Sequence, residues 1–318
     1  MKKLVSLTLI LITLLGCSKE SEKITVVLDW TPNTNHTGLY VALENGYFEE
    51  YNLDVEIIQP DGYSEQIVAS NTAQFGISAQ EYVISARSND IPVVSLAAII
   101  HDNTSGFISR ETSNITRPSD FENKTYCGWG SATESAIIKE LVESDGGDFS
   151  KVNVTTNYLD IFTDVNNECD FFWVFEAWQV EQAKLENIEY NYLSMIDYSN
   201  ELNFHTPVII TNEKMIEENS DTVKDFMSAV RKGYEYAITN PSESADILLK
   251  HAPELNSELV KSSQLFLTNH YKKDGIAWGV QSDEYWTNFN TWLVDREIVP
   301  SINISDAYTN EYLEDGNN

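Results

Sequence analysis

Basic residues and cysteines are scarce in this chain of 318 residues, and each scarcity excludes something. Only 20 Lys and Arg stand against 50 Asp and Glu, a formal net charge of −30. Such a surface argues against nucleic acid as a partner and disfavours polyanionic ligands, since no Arg/Lys cluster is present to receive them. The acidic residues are spread along the chain rather than gathered in a tail, so most of them form solvated faces. The three cysteines, Cys17, Cys127 and Cys169, form no CxxC pair and no Cys/His cluster. That removes zinc and iron–sulfur sites, and no metal is expected. Cys127 and Cys169 are expected to be two small buried apolar residues rather than a disulfide. No GxSxG, HExxH or P-loop is found, so the sequence points to no enzyme and no cofactor. Composition does not exclude a carboxylate enzyme such as a glycosidase, but nothing local points to one. Beyond residue 17 no apolar run approaches the ~20 residues needed to span a bilayer.

What is present begins with an address. Lys2 and Lys3 precede the apolar "LVSLTLILITLLG", which ends in "LLGC". This layout resembles a bacterial lipoprotein signal, in which residues 1–16 are removed, Cys17 is lipidated and 17–23 form a polar tether. The expected location is the bacterial cell membrane, lipid-anchored and facing the extracytoplasmic side.

From residue 24, short β-branched runs alternate with amphipathic stretches. "ITVVLD", "LDVEIIQ", "FGISA" and "VVSLAAII" read as strands separated by helices, and "TYCGW", "VNVTTN" and "CDFFWVF" begin a second series with a helix expected over "DIFTDVNN". Alternation of this kind implies α/β units, each a parallel sheet covered by helices. The last third is mainly helical. The expected architecture is two α/β lobes with a central cleft: residues 24–108 and 207–318 in lobe 1, with the helical C-terminal part packing on it, and 109–206 in lobe 2. The crossings are expected near 104–114 and 203–208.

In open α/β sheets, ligands lie beyond the carboxyl ends of the strands. Five such ends carry unusual residues: "LDWTPNTNHTG", "SAQEY", "HDNTSG", "CGWGSATE" and "FWVFEAW". Trp30, Trp129, Trp173 and Trp178 offer flat faces for a heteroaromatic ring, with Tyr63 beside them. Asn33, Gln80 and Asn103 supply paired donors and acceptors, and His36, Glu81 and Glu176 add an imidazole and two carboxyls for an exocyclic amine. Gly130 and Ser131 open a helix N-terminus at the cleft. Each residue also has a plainer reading. A single Trp at a strand end is more often packing, Asn33 suits a turn, and His36 suits a buried hydrogen-bonded ring. Their convergence favours a binding site.

The segments "LDWTPNTNHTGLYVALENGYFEEYNLDVEI", "GISAQEYVISARSNDIPVVSLAAIIHDNTSGF", "KTYCGWGSATESAIIKEL" and "CDFFWVFEAW" resemble bacterial solute-binding proteins related to fungal thiamine-pyrimidine synthase. The resemblance spans about 24 to 315. It implies a type II periplasmic-binding-protein fold and closure on a thiamine precursor, N-formyl-4-amino-5-aminomethyl-2-methylpyrimidine. Delivery to an ABC permease with a cytoplasmic ATPase would follow. The cysteine-rich iron motif of the fungal enzymes has no counterpart near Cys169. Two departures concern the ligand. Glu176 and Gln179 stand where the family carries an aromatic and an acidic residue, and Ala79 and Tyr82 replace a Tyr and a Gln. Riboflavin and thiamine are therefore the rival ligands.

Overall fold

The computed structural model describes residues 21–157 and 159–313; the expected lipoprotein signal and Cys17 lie outside these. Among the described residues, ten strands form two five-stranded sheets. The first contains β1 (Glu22–Val27), β2 (Leu53–Ile58), β3 (Phe75–Ser78), β4 (Val93–Ala98) and β10 (Val208–Asn212), in the order β2-β1-β3-β10-β4. The second contains β5 (Ser105–Arg110), β6 (Thr125–Cys127), β7 (Asn153–Thr155), β8 (Phe171–Phe175) and β9 (Tyr190–Ser194), in the order β7-β6-β8-β5-β9. Neither sheet is wholly parallel. β10 runs antiparallel to β3 and β4, and β5 antiparallel to β8 and β9. Each is the strand that enters a sheet just after the chain has crossed from the other one.

β5 corrects the first crossing. "SGFISR" is a central strand of the second sheet, so the chain crosses within 99–104, not at 104–114. Its sequence is an unclear strand signal because it is buried on both faces and carries small residues where neighbours press close. A Cβ on Gly106 would collide with Leu193 O and the Tyr192 ring. The helix expected over "DIFTDVNN" is also absent. There Asp160 and Asp164 accept backbone N–H groups of the following residues and hold the segment in turns.

Helices α1 (Thr37–Glu44), α2 (Tyr47–Glu50), α3 (Ser64–Ala69) and α4 (Gln80–Ser88) cover the first sheet, and α5 (Ala132–Ser144) and α6 (Glu181–Leu185) the second. The chain ends through α7 (Glu213–Glu218), α8 (Ser220–Thr239), α9 (Pro241–His251), α10 (Ser257–Leu267) and α11 (Asp283–Asp295). α8 buries Val223, Phe226, Met227, Val230, Tyr234 and Ala237 at helical spacing against the first lobe's core, and Phe226 stacks on Phe75. Each large side chain buried this way contributes roughly 1.5–3 kcal/mol. α11 lies along the returning crossing, where Phe289 stacks on Phe204, and Arg296 at its end pairs with Glu140 of α5.

Cys127 and Cys169 form a disulfide across 42 residues, with Cα atoms 5.8 Å apart. This overturns the expectation of two free thiols. The bridge joins the end of β6 to the approach to β8, and those two strands are hydrogen-bonded neighbours.

Candidate functional site

The carboxyl end of β1 opens the site. Asn33 Oδ1 accepts from Asn35 N at 2.8 Å and caps a 3-10 turn, Thr34–His36. His36 is fully buried. Its Nδ1 accepts from Asn33 N at 3.2 Å, so its proton sits on Nε2, which donates to Asp29 Oδ1 at 2.8 Å. Tyr234 and Tyr271 hydroxyls donate to the carbonyls of Asn35 and Thr34, both at 2.7 Å. The polar residues of this turn are thus largely spent on holding it rigid, and Trp30 is left 49 % exposed at its tip.

Trp30 faces a cleft of about 410 Å³ between the lobes, within the range of small-molecule sites. Asn33, Tyr63 and Glu81 line it from the first lobe, and Trp129, Trp173 and Trp178 from the second. Trp129 and Trp173 are tilted at 56° with ring centroids 5.3 Å apart, forming a corner rather than a parallel pair. Asp29, Glu65, Ser78, Tyr82, Phe175, Gln179 and Phe204 are also among the lining residues. Glu65 and Phe204 carried no sequence signal as site residues, whereas Ser78 opens the "SAQEY" strand end already marked in the sequence. Phe175 and Gln179 flank Trp178 and were within reach of the strand-end argument.

Six expected site residues do not line this cleft. His36 has both ring nitrogens committed. Gln80 donates to Tyr285 O at 3.1 Å and accepts from His205 N at 2.9 Å, tying the returning crossing to α4. Asn103 donates to Leu202 O and accepts from Ser105 N, each at 2.8 Å, which clamps the two crossings together. Ser131 caps α5 through a reciprocal box with Glu134. Gly130 turns the chain at φ +85°, with the Thr156 side chain packed behind it. Glu176 begins a π-helical turn, Glu176–Val180. Burial raises its carboxyl, while His270 and Lys184 pull the other way. The turn itself presents Trp178 and Gln179 to the cleft, and Ala177 is buried in the first lobe's core.

The charge at the site is concentrated on carboxyls. Burial, followed by the neighbouring charges of Glu134 and Glu65, pushes the Glu81 carboxyl up to about 7, with Tyr82 opposing through a hydrogen bond. Glu81 Oε2 is sealed from solvent without a hydrogen-bond partner, and so is Trp173 Nε1. Glu134 accepts from Tyr126 Oη at 2.7 Å, Trp129 N at 3.0 Å and Ser131 N at 2.6 Å, and so sets the position of the Trp129 loop. Gly128 makes room for that carboxylate, since a Cβ there would overlap Glu134 and the Tyr126 ring. The crossings are fixed by His205, whose Nδ1 donates to His101 O at 2.7 Å while Nε2 accepts from Ser282 N at 2.8 Å. Burial holds its basicity down to about 3.

A formylaminopyrimidine-binding protein of Halalkalibacterium halodurans is 30% identical over 92% of each chain. A 4-amino-5-hydroxymethyl-2-methylpyrimidine phosphate synthase of Candida albicans is 27% identical over 92% of this chain and 88% of its own. In three dimensions the chain is similar to the periplasmic aliphatic sulphonate-binding protein of Escherichia coli, with a TM-score of 0.70 at 13% identity over 92% and 99% of the two chains. The nitrate-binding protein of Synechocystis PCC 6803 gives 0.68 at 13% over 92% and 88%. The fold is therefore that of the type II periplasmic binding proteins, as the two-sheet topology indicates. With the model of the NMT1/THI5-like proteins matching residues 33–244, the chain belongs to the NMT1/THI5-like family.

Proposed function

We propose that this chain is the extracytoplasmic solute-binding component of an ABC importer, and that it captures a small aminopyrimidine between its lobes without chemical conversion. One observation carries the reading: indoles from both lobes, Trp30 from one and Trp129, Trp173 and Trp178 from the other, wall a single slot that holds the Glu81 carboxyl. A flat ring between such faces gains about 1 kcal/mol per aromatic pair beyond its burial. Glu81 titrates near 7, so at neutral pH it can accept from an exocyclic amine or donate to a ring nitrogen. Asn33 and Gln179 add amide donors and acceptors to the same wall.

The name of the Halalkalibacterium relative supports formylaminopyrimidine as the reference ligand. The disulfide supports an oxidising, extracytoplasmic setting. Lipidation at Cys17 would hold the chain beside its permease through a membrane anchor, since among the described residues no helix is long and apolar enough to cross a bilayer.

Mass spectrometry of small molecules released from freshly purified, denatured protein tests the ligand class. Calorimetric titration with formylaminopyrimidine, thiamine and riboflavin then ranks the candidates. Saturable heat with formylaminopyrimidine is expected. Silence there with binding of riboflavin would move the assignment to another heterocycle, and turnover of any of them would overturn the receptor reading.

A further inference from the structure

Four carboxyls surround the slot, and none is neutralised. Asp29, Glu65 and Glu81 line it, and Glu134 lies directly behind Trp129. Among the described residues no Lys or Arg lines the cleft or pairs with any of the four. Asp29 meets only His36, whose Nδ1 is occupied by the Asn33 N–H, so in this arrangement the imidazole carries one proton and no charge. Glu65 accepts from the hydroxyls of Ser64 and Ser78. Glu134 accepts from a phenol and two amides. Every donor to these carboxyls is neutral.

The walls around this charge are aromatic. Trp30, Trp129, Trp173, Trp178, Tyr63 and Tyr82 turn toward the same volume, and the faces of such rings attract cations. Of the buried polar atoms without a partner, two belong to residues lining the slot, the acceptor Glu81 Oε2 and the donor Nε1 of Trp173, itself nine-tenths buried. A slot with low-dielectric walls and charge of one sign focuses its field on whatever enters.

We propose that the slot selects a cationic ligand: an aminopyrimidine bearing a protonated aminomethyl arm in preference to the neutral N-formyl form, with the phosphate ester excluded. The inference rests on the aminopyrimidine reading above. The cation sits against the Glu81 and Glu65 carboxyls, within the indole walls. Its arrival favours ionised Glu81, which faces Glu65 from α3, Glu134 from α5 and the neighbouring Tyr82, and no basic side chain. Binding of the amine near pH 7 therefore releases a fraction of a proton, of the order of one half; binding of the N-formyl compound releases none.

The test is calorimetry on the ligand-free full-length protein in buffers of different ionisation heat. Three compounds share the 4-amino-2-methylpyrimidine ring and carry aminomethyl, formylaminomethyl or phosphooxymethyl at position 5. The amine is expected to bind at least about tenfold tighter than the N-formyl compound, and the phosphate at least about a hundredfold weaker than the amine, with the first ratio shrinking between about 20 mM and 0.5 M salt. Glu81→Gln and, independently, Glu65→Gln are each expected to lower the amine to N-formyl ratio. An N-formyl compound that binds as tightly as the amine, or a ratio unchanged in both variants, overturns the inference while leaving the aminopyrimidine reading standing. If none of the three binds but benzyltrimethylammonium does, the ring assignment falls and cation selection stands. If that cation is silent too, both fall.

Discussion

Glu81→Gln is expected to stabilise the ligand-free protein at alkaline pH and to leave it nearly unchanged in mild acid. Folding raises this carboxyl from 4.5 to about 7, through burial first and then through Glu134 and Glu65. The folded state therefore holds the proton more tightly than the unfolded chain. The stability this contributes is complete below the unfolded value and is lost as pH rises through the folded one. The separation of those two values corresponds to about 3 kcal/mol. That figure is an upper bound, because part of the Glu81 side chain faces the open cleft and is screened there. The isosteric amide carries no charge at any pH, so it removes the alkaline penalty. Urea denaturation followed by far-ultraviolet circular dichroism, at steps between pH 4.5 and 8, reads the effect directly. The variant's advantage should grow from near zero to roughly 1–3 kcal/mol. A variant less stable than the parent at pH 8, or an advantage that does not change with pH, would refute the reasoning.

Opening the Cys127–Cys169 bridge with reductant, or by Cys169→Ser, should cost about 4 kcal/mol from the 42-residue loop it closes, seen as a lowered urea midpoint. Gly128→Ala should cost about 1–3 kcal/mol by forcing Glu134 and Tyr126 aside, and near-ultraviolet circular dichroism should register the altered Trp129. Trp30→Ala should leave stability within about 0.5 kcal/mol, since the indole is half exposed, while weakening ligand binding at least tenfold by titration. Cys17→Ala should shift the protein from the membrane to the soluble fraction of cells, as judged by immunoblot.

The sequence made legible those features that repeat locally. The strands of the first lobe could be read because "ITVVLD" and "LDVEIIQ" carry their own β-branched pattern, and the indoles stood out as costly residues at strand ends. β5 was missed because a strand buried on both faces, with Gly106 and Ser109 inside it, has no alternation to read. The disulfide was missed because spacing says nothing of which strands become neighbours. At the site, amides and imidazole had two readings each. The structure places His36, Gln80 and Asn103 in the scaffold: both ring nitrogens of His36 are committed, and the amides of Gln80 and Asn103 are turned to backbone groups of the crossings rather than to the cleft. Glu65 lay hidden because it comes from an ordinary helical stretch that only the fold delivers to the cleft.

The insertion of β10 between β3 and β4 bears on how the molecule is assembled. The second sheet is drawn entirely from the contiguous stretch between Ser105 and Ser194, so it can be finished while the first sheet still has a gap beside β3. β4 touches that sheet only through β10, and must wait for a strand synthesised after the whole other half. The half that begins the polypeptide is therefore the last to close, and a chain truncated before Val208 would leave the edges of β3 and β4 open to whatever strand they meet.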